Sequence, residues 1–480
     1  MTSREKFLAT LTFQAGAESP KWEFGYWGAT IKRWYREGLP QRHYPTIPIR
    51  TVTTSSSLYT QAWTHAWRQS RTLFEVTYGE RERQIELPDG IGVWGGALYW
   101  PSQGFPLDRD VAHYFGMDAS TALVQVEQFL WPHFETRVLS ENEKYVDYVD
   151  IDGITRRFHK DEGVIPTAMS WPIRDWDTWQ AIKEERFRLD SIQQRFPPHW
   201  PELLAEYRRR DHPLALGGYP LGFFGSLVHL LGYENLFYDY YDQPDLVKDI
   251  LNHLTTLWIS IWEEVMAQVE VDVVHIWEDM SSSRGPMISP DIFREFMTPC
   301  YRRVTDFLRG RGIKVILVDT DGNCEPLIPL LLEAGVTGLY PMEVSAGMDV
   351  VAARRNYPQL QMMGGVPKSQ LALGKARIDA ILDDVALLLR TGGYIPFGDH
   401  LIPPEVPWEH FRYYRERLNR LIERQCILVR SAGHERVEDI HYRENPCFKG
   451  YVGCLQAIGV ARAIKPLMVE SDYLCRSLKP

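Results

Sequence analysis

The chain has 480 residues, 44% of them hydrophobic and 24% charged, which is ordinary for a globular protein with a sizeable core. Its net charge of −10 argues against a nucleic acid or an anionic membrane surface as the main partner. No apolar run is long enough for a transmembrane helix, and Met1–Lys6 lacks the pattern of a signal peptide. The six unevenly spaced cysteines do not suggest a disulfide framework, so we predict a reduced, cytoplasmic protein.

The first part of the chain predicts two helices and then a β-rich region. Residues 3–12 and Gly28–Glu37 have helical patterns, and Trp22–Trp27 is predicted to be a strand or a strand end. From about 45 to 165, short alternating stretches and an Asp152-Gly153 turn predict at least one hairpin. We expect this β-rich region to be a cap over the mouth of the main domain.

Strands and helices alternate from about residue 213 onwards. A strand over Pro213–Leu216 is followed by a glycine-rich connection, and a long helix is predicted from Asp242 to about Gln268. Further helices are predicted to start at Ser289 and to lie near 325–334, 375–390 and 407–424. One helix between each two strands implies βαβ units and a parallel sheet.

A TIM-like (β/α)8 barrel is the simplest fold for this many βαβ units. About seven strands can be placed, so closure of the barrel is an inference. The predicted organisation is a barrel over 1–424, with a β-rich insertion at 45–165, and a C-terminal extension of unknown role at 425–480.

Four predicted strands are short apolar segments that stop on acids or a histidine. The C-terminal ends of parallel strands are where α/β folds collect their active-site residues. Four such endings in one part of the chain therefore predict the floor of one pocket. The polar residues at these ends are Glu278 and Asp279, then Asp319, Asp321 and Asn323, then Glu343, and finally Asp399 and His400.

Asp319 and Asp321 are the strongest candidates for catalysis. They lie two residues apart, so in a strand both side chains face the same side. Two converging carboxylates can share a proton, hold a metal ion or bind a cationic substrate. The alternative is that one of them caps the next helix or forms a salt bridge.

His400 is the third candidate. The residues around it restrict the backbone, which suits a histidine held in one orientation as a base, an acid or a ligand. A structural histidine bound to a backbone carbonyl is the alternative. Glu278 is predicted to be catalytic as well, whereas His275, inside its strand, is expected to be a core residue. The predicted substrate-binding residues at the strand ends are Asp279, Asn323 and Glu343.

Several common catalytic motifs are missing from the sequence. It has no Gly-x-Gly-x-x-Gly after a strand, no Walker-type loop, no Gly-x-Ser-x-Gly elbow and no His-Glu-x-x-His. Nucleotide-dependent chemistry and serine-triad hydrolysis are therefore not predicted.

Seven short motifs are spread over residues 1–424. They are Ser3–Thr10, Ile288–Phe296, Gly322-Asn323, Glu333–Val336, Ala346–Asp349, Gly364-Gly365 and His400–Pro404. With these motifs the chain resembles the uroporphyrinogen decarboxylase superfamily, which includes cobalamin-dependent methyltransferases. The resemblance implies a TIM-like barrel with its pocket at the C-terminal ends of the strands.

The resemblance also implies a place for a metal. In the methyltransferase branch, zinc is held by a His-x-Cys pair before the Gly-Asn step and by a later cysteine. The matching positions here are Asp319, Asp321 and His400. Oxygen donors replace thiolates, so the implied ligand set is one for zinc, manganese or iron.

The decarboxylase branch is matched less well. Its arginine-rich N-terminal motif, which grips the carboxylates of the porphyrinogen, falls on residues 23–30, where this chain has no arginine. Only its late histidine is matched, by His400. An acid-lined pocket is also unfavourable for a substrate with many carboxylates, so strict uroporphyrinogen decarboxylation is not predicted. Tyr26 and Trp27 are predicted to bind the substrate through their rings.

Three functions stay open on the sequence. The leading one is methyl transfer to or from a small substrate, or its demethylation, with a corrinoid partner protein or free cobalamin. The second is a decarboxylase or lyase acting on a small acid or a tetrapyrrole-related substrate. The third is a non-catalytic barrel that binds a corrinoid or a tetrapyrrole. The sequence leaves open the substrate and the metal. It also leaves open the oligomeric state, and a homo-oligomer is one of the alternatives.

Overall fold

The computed structural model describes residues 1–26, 28–40, 47–48, 84–85, 109–135, 137–159 and 167–431. The strands are β1 (Ile47–Pro48), β2 (Gln84–Ile85), β3 (Ala122–Leu123), β4 (Arg137–Glu141), β5 (Tyr145–Val149), β6 (Thr155–His159), β7 (Thr167–Ser170), β8 (Leu214–Gly217), β9 (Val273–Trp277), β10 (Ser281–Ser282), β11 (Gly285–Pro286), β12 (Ile316–Asp319), β13 (Gly338–Met342), β14 (Gln361–Val366) and β15 (Tyr394–Gly398). The α-helices are Ser3–Leu11, Gly28–Glu37, Arg109–Phe115, Trp176–Arg186, Trp200–Arg208, Phe223–Leu231, Tyr233–Asp242, Pro244–Met266, Pro290–Ile292, Thr298–Gly310, Ile328–Glu333, Val350–Asn356, Lys375–Thr391 and Trp408–Ser431.

Seven parallel strands form the main sheet of the described residues. Their order is β15-β14-β13-β12-β9-β8-β3, and every neighbouring pair is parallel. Strands such as β14 and β15 are buried along their whole length. Continuous apolar burial is typical of a sheet that is covered on both faces, as in a barrel. The predicted α/β, TIM-like barrel fold is confirmed.

An irregular segment lies between the two edge strands, β15 and β3. On the β15 side, the Ile402 amide donates to the Gly25 carbonyl at 2.9 Å, and Tyr26 and Ile402 form a parallel bridge. On the β3 side, the Trp22 indole donates to the Ala119 carbonyl at 3.1 Å. Residues 22–26 therefore occupy the place of an eighth strand without forming a regular one.

Apolar side chains pack on both sides of the barrel wall. The larger core lies between the strands and the surrounding helices. A second, smaller core fills the barrel interior. Its members are Phe7, Leu11, Trp22, Phe24, Leu123, Ala215, Val273, Val315, Leu317, Tyr340, Met363, Ile395, Phe397 and Leu401. Since the interior is filled below, ligand chemistry is confined to the mouth.

A separate antiparallel sheet has the order β4-β5-β6-β7. The predicted hairpin is present: β5 and β6 pair around a turn that contains Asp152 and Gly153. Strand β3 also falls within 45–165, yet it pairs with β8 in the barrel sheet. Most of the rest of 45–165, and the extension beyond 431, lie outside the described residues, so the cap and the role of the extension stay predictions.

Most helices lie where the sequence places them. Gly28–Glu37 has the predicted bounds, and Ser289 caps the next helix through its hydroxyl, which accepts from the Ile292 amide. The first helix is capped by Thr2, whose side chain accepts from the Glu5 amide, and not by Ser3 as the helical pattern from residue 3 would suggest. No helix of the described residues is long and apolar enough to cross a membrane.

Candidate active site

Five of the predicted site residues meet at the mouth of the barrel. Asp279 follows β9, Asp319 ends β12, Asp321 comes two residues later, Glu343 follows β13 and His400 follows β15. The His400 Nε2 atom lies 3.5 Å from Asp321 Oδ2, and the Asp321 amide is 3.4 Å from Asp279 Oδ1. Both separations are longer than a good hydrogen bond. The side chains of His400, Asp321 and Asp279 therefore affect one another mainly through their charges.

Lys368, which the sequence analysis did not identify, contacts two of the acids that follow β13 and β15. The Lys368 ammonium lies 2.9 Å from Glu343 Oε1, and the Lys368 amide donates to Asp399 Oδ1 at 2.8 Å. The other oxygen of Asp399 accepts from the Ser345 amide at 2.7 Å, and the second oxygen of Glu343 accepts from the Gly322 amide at 2.8 Å. Lys368 follows β14 by two residues, so its position at a strand end was the signal that could have identified it.

Three of the aspartates hold protons more tightly than usual. Burial raises the pKa of Asp279 to about 7, and the charges of Asp321 and Glu343 add to the effect. Burial also raises the pKa of Asp321 to about 7, again helped by Glu343. Burial and both neighbouring aspartates raise the pKa of Asp319 well above its ordinary value, although it accepts a hydrogen bond from Tyr340. The cluster therefore carries exchangeable protons near neutral pH.

His400 is shifted in the opposite sense. Burial and, to a smaller extent, the charge of Lys368 lower the pKa of His400 to about 4. The imidazole ring lies 4.9 Å from the ring of Phe24, a residue of the segment that closes the barrel. A neutral imidazole thus stands beside a carboxyl group that is partly protonated at neutral pH.

Glu278 points away from this cluster and binds the start of a helix. Its oxygens accept from the amides of Phe223, Phe224 and Gly225 at 3.0, 2.6 and 3.0 Å, and from the hydroxyl of Tyr301. Burial raises the pKa of Glu278 to about 7, even though these donors lower it. The contacts suit a residue that anchors the helix, and a catalytic role for Glu278 stays a prediction.

Two glycines allow that helix to approach β9 closely. A Cβ atom on Gly222 would lie 1.7 Å from the Trp277 carbonyl oxygen, and one on Gly225 would lie 2.3 Å from the same atom. The glycine-rich connection predicted from the sequence therefore serves close packing at the mouth.

Tyr26 and Trp27 are the two aromatic residues that were predicted to bind the substrate. Tyr26 is fully buried and packs edge-on against Trp34 and Phe411, with ring centroids 5.4 and 5.6 Å away. It belongs to the core outside the barrel rather than to the mouth. Trp27 lies outside the described residues. Substrate binding by either residue stays a prediction.

The remaining candidates occupy local positions. The Asn323 side-chain oxygen accepts from the Glu325 amide at 3.2 Å, which holds the turn after β12. His275 is buried inside the barrel, as expected for a core residue, with its ring 5.0 Å from Tyr340. Burial lowers the pKa of His275 to about 3, so it is neutral.

The side chains at the mouth do not fit a divalent metal in this arrangement. Across the described ranges, no group of three or more histidines, cysteines or acids is placed to ligate a metal ion. Metal binding by Asp319, Asp321 and His400 therefore requires these side chains to move. It stays a prediction, which elemental analysis of the wild type beside Asp321→Ala tests directly.

A family model described as uroporphyrinogen decarboxylase (URO-D) matches residues 153–421. The chain belongs to the uroporphyrinogen decarboxylase family. The match begins at the hairpin turn and ends in the last described helix, so it includes the ends of six of the seven strands of the main sheet, all except β3. No protein with a curated function matched the chain.

Two solved structures illustrate how far the likeness extends. A methyltransferase from Methanosarcina mazei is 16% identical, with a TM-score of 0.49, over 87% of this chain and 99% of the other. The 3-keto-D-glucoside 4-epimerase from E. coli is 13% identical, with a TM-score of 0.28, over 51% of this chain and 92% of the other. Likeness at this level is too low to transfer an activity.

Proposed function

We propose that this member of the uroporphyrinogen decarboxylase family is an enzyme that moves a methyl group from a small substrate to a corrinoid acceptor. The observation that carries the proposal is the position of the Asp321 carboxyl group, 3.5 Å from the imidazole of His400, in surroundings that raise the pKa of Asp321 to about 7 and lower the pKa of His400 to about 4. A group with a pKa near the working pH is suited to general acid catalysis.

The charges at the mouth favour a neutral or cationic substrate. Asp279, Asp319 and Asp321 lie close together and are half-buried, and each further negative charge near them costs free energy. The ammonium group of Lys368 is already bound to Glu343 and lies 3.8 Å from Asp399. An anionic substrate would therefore need to displace an existing ion pair.

Asp321 supplies the proton that the demethylated product needs. As the bond between the methyl carbon and its heteroatom breaks, the electron pair of that bond stays on the heteroatom. Asp321 delivers its proton there, becomes a carboxylate and is reprotonated from solvent. The His400 imidazole lies 3.5 Å from the Asp321 carboxyl group and Asp279 Oδ1 lies 3.4 Å from the Asp321 amide, while Glu343 and Lys368 fix the loop that carries Gly322.

Exposed aromatic side chains lie near the mouth and suit the packing of an acceptor. A corrinoid, when bound, supplies a nucleophilic cobalt that accepts the methyl group. The helix Tyr233–Asp242 exposes aromatic side chains. Burial raises the pKa of Tyr233, and the charge of Asp279 raises it further, which shows that this helix lies close to the cluster. Exposed aromatic groups next to a pocket are typical of binding surfaces. These aromatic residues are Tyr233, Phe237, Tyr238 and Tyr241.

Decarboxylation of a small acid is the second candidate. The same proton donor could protonate the carbanion that forms when carbon dioxide leaves, and the family includes decarboxylases. The occupied ammonium group of Lys368 disfavours this alternative, because the described mouth then offers no unpaired cation for a substrate carboxylate.

The test is whether the purified protein methylates free reduced cobalamin, with the reaction monitored by absorbance. The donors are methyl ethers, methylated amines and methyl thioethers, among them guaiacol and ethylene glycol monomethyl ether. We expect Asp321→Asn to lower the rate at least about a hundredfold, the range for loss of a general acid. The matched control is Asp291→Asn, since the Asp291 side chain is 95% exposed. No methylation with any donor, together with release of carbon dioxide from small acids, would replace the first proposal with the second.

A further inference from the structure

The turn that contains His400 is bonded to residues near the start of the chain. Before the histidine, the Gly398 amide donates to Glu23 Oε1. After it, the Ile402 amide donates to the Gly25 carbonyl at 2.9 Å. The segment that closes the barrel therefore binds the backbone of this turn on both sides of the histidine, and one of the two contacts is made by a side chain.

The Glu23 side chain lies between this turn and a buried arginine of the last described helix. Arg415 Nη1 is 3.4 Å from Glu23 Oε2, and neither side chain has any exposed surface. The guanidinium group is itself held by the Trp22 carbonyl at 2.8 Å and by Asn419 Oδ1 at 2.9 Å. Burial raises the pKa of Glu23 overall, although Arg415 and the Gly398 amide lower it. One oxygen of Glu23 thus binds the arginine, and the other binds the turn.

Stability alone is a weak reason for an ion pair in this place. Removing two charges from water costs free energy that their mutual attraction often does not recover, and apolar residues of similar size commonly serve a fold as well. A glutamate side chain has two oxygens, so it can accept from a guanidinium group with one and from a backbone amide with the other. Glu23 is therefore suited to fix the backbone beside His400 relative to Arg415.

The same turn is anchored a second time by Asp399. This side chain is fully buried, and its oxygens accept from backbone amides of the loops after β13 and β14 at 2.7 and 2.8 Å. The His400 ring lies 4.9 Å from the ring of Phe24 and 3.5 Å from Asp321 Oδ2. The place of the imidazole beside the acid therefore depends on a turn that has a carboxyl anchor at each of two successive residues.

We propose that Glu23 is a positioning residue, which holds the His400 ring beside the Asp321 carboxyl group by binding the Gly398 amide. Glu23 acts through the backbone of the turn and is not a catalytic residue. The inference rests on the proposed function for the chemistry at Asp321, but the position of His400 can be measured without that chemistry.

Two conservative variants separate the contact with the turn from the contact with the arginine. Glu23→Gln keeps an oxygen that reaches the Gly398 amide but loses the charge that pairs with Arg415. Glu23→Asp keeps the charge but is one methylene shorter, so its oxygens are drawn back from the amide. The matched control is Asp379→Asn, which removes the charge from an acid that pairs with another arginine of the same helix, Arg417, where both side chains are 41% exposed.

The first measurement is the ring signal of His400 in a ¹H–¹³C correlation spectrum of protein labelled with ¹³C-histidine. Its absence in His400→Gln assigns the signal. Because the aromatic ring of Phe24 is 4.9 Å away, its ring current makes the signal sensitive to the position of the imidazole. We expect Glu23→Asp to shift the signal, and we expect Glu23→Gln and Asp379→Asn to leave it in place.

The second measurement is the rate of cobalamin methylation with the donors named above, at a temperature at which each variant is folded. Glu23→Asp should lower kcat about 10- to 100-fold with little change in KM, since a small misplacement near the reacting groups costs rate of this order. Glu23→Gln should keep kcat within about twofold of wild type but lower the melting temperature, because Arg415 then lacks a charged partner.

The opposite pattern overturns the inference. If Glu23→Gln shifts the His400 signal and lowers kcat while Glu23→Asp does neither, the ion pair with Arg415 is a structural feature and no more. Unchanged signals in both variants, or equal shifts in both, also contradict the role of the Gly398 contact.

Two further outcomes are separated by the design. If Glu23→Asp does not fold, Gly398→Ala takes its place, because the added methyl group would lie 2.9 Å from Glu23 Oε1 and 2.7 Å from Ile402 Cδ1 and would push the turn away. An unshifted His400 signal in that variant contradicts the positioning role. A signal that shifts as expected, in a protein that methylates no cobalamin, would contradict the proposed reaction and support the position of Glu23 in the site.

Discussion

The two sides of the barrel mouth treat their acids in opposite ways. On the side of β13 to β15, Lys368 is bound to Glu343 and its amide is bound to Asp399. Burial alone would raise the pKa of Glu343, but the Gly322 amide and Lys368 lower it overall. On the side of β9 and β12, Asp279 and Asp321 both have a pKa raised to about 7.

The difference lies in the partners and not in the residue type. In the part of the chain that the structure describes, Asp279 and Asp321 form no ion pair with a lysine or an arginine, whereas Glu343 does. Half-buried acids without a cation are harder to ionise than paired ones, and such raised pKa values are commonly found at functional sites. We therefore infer that the side of β9 and β12 carries the reactive acids, and that the Lys368 side holds the loops of the mouth in place.

Lys368→Met would leave the acids on the Lys368 side without a cation, as they are on the side of β9 and β12. We expect this change to have the largest effect on stability. Glu343 would keep the Gly322 amide but lose the ammonium group, so its pKa should rise. Loss of a partner for a buried acceptor costs about 1–3 kcal/mol of unfolding free energy. Urea unfolding at neutral pH measures this.

The control for Lys368→Met is Lys248→Met, which removes an exposed pair with Glu295. Surface pairs contribute about 0–1 kcal/mol, so this control should change little. Equal losses in both variants would show that the two sides of the mouth do not differ as described.

Asp279→Asn tests the reactive side through the pH dependence of stability. The folded-state pKa near 7 is raised above the ordinary value of about 4. Asp279 therefore contributes stability that is fully present below about pH 4 and is lost as pH rises through about 7. The variant lacks this loss, so its melting temperature relative to wild type should rise with pH.

The change over that window should amount to at least about 1 kcal/mol, the value of one pKa unit. Thermal unfolding between pH 4.5 and 8 measures it, with Asp291→Asn as the control. A difference between variant and wild type that is flat with pH, or that falls, contradicts the raised pKa of Asp279.

Tyr340→Phe should have the smallest effect. It removes the hydroxyl that donates to Asp319 and keeps the ring beside His275. The pKa of Asp319 should rise further, and stability should fall by about 1 kcal/mol, the value of one hydrogen bond. Denaturant unfolding at neutral pH checks this, and an unchanged stability would contradict the hydrogen bond between Tyr340 and Asp319.

The sequence predicted the barrel through its alternation of apolar strands and amphipathic helices. It could not identify the segment at residues 22–26 as the closing element, because that segment forms one bridge and otherwise relies on contacts with distant loops. Strand β3 has two residues, too few for a periodic pattern. Closure thus depends on tertiary contacts that no local pattern records.

The candidate site was only partly predictable for a similar reason. Looking for acids at strand ends found Asp279, Asp321 and Glu343 but missed Lys368, which is basic. It also grouped Glu278 with them, since the sequence cannot show that this side chain turns towards the amides of a neighbouring helix.

Closure of the barrel by its own beginning has a consequence during synthesis. Glu23, which accepts from the Gly398 amide and pairs with Arg415, is 375 residues away in the chain from that amide. A ribosome adds about 5–20 residues per second, so the first segment waits roughly 20–75 s for its partners. Phe24 and Trp22, which end up inside the barrel, are without that interior for the whole interval. The segment that completes the wall is thus synthesised 375 residues before its partner amide, and contacts over such long sequence separations form slowly.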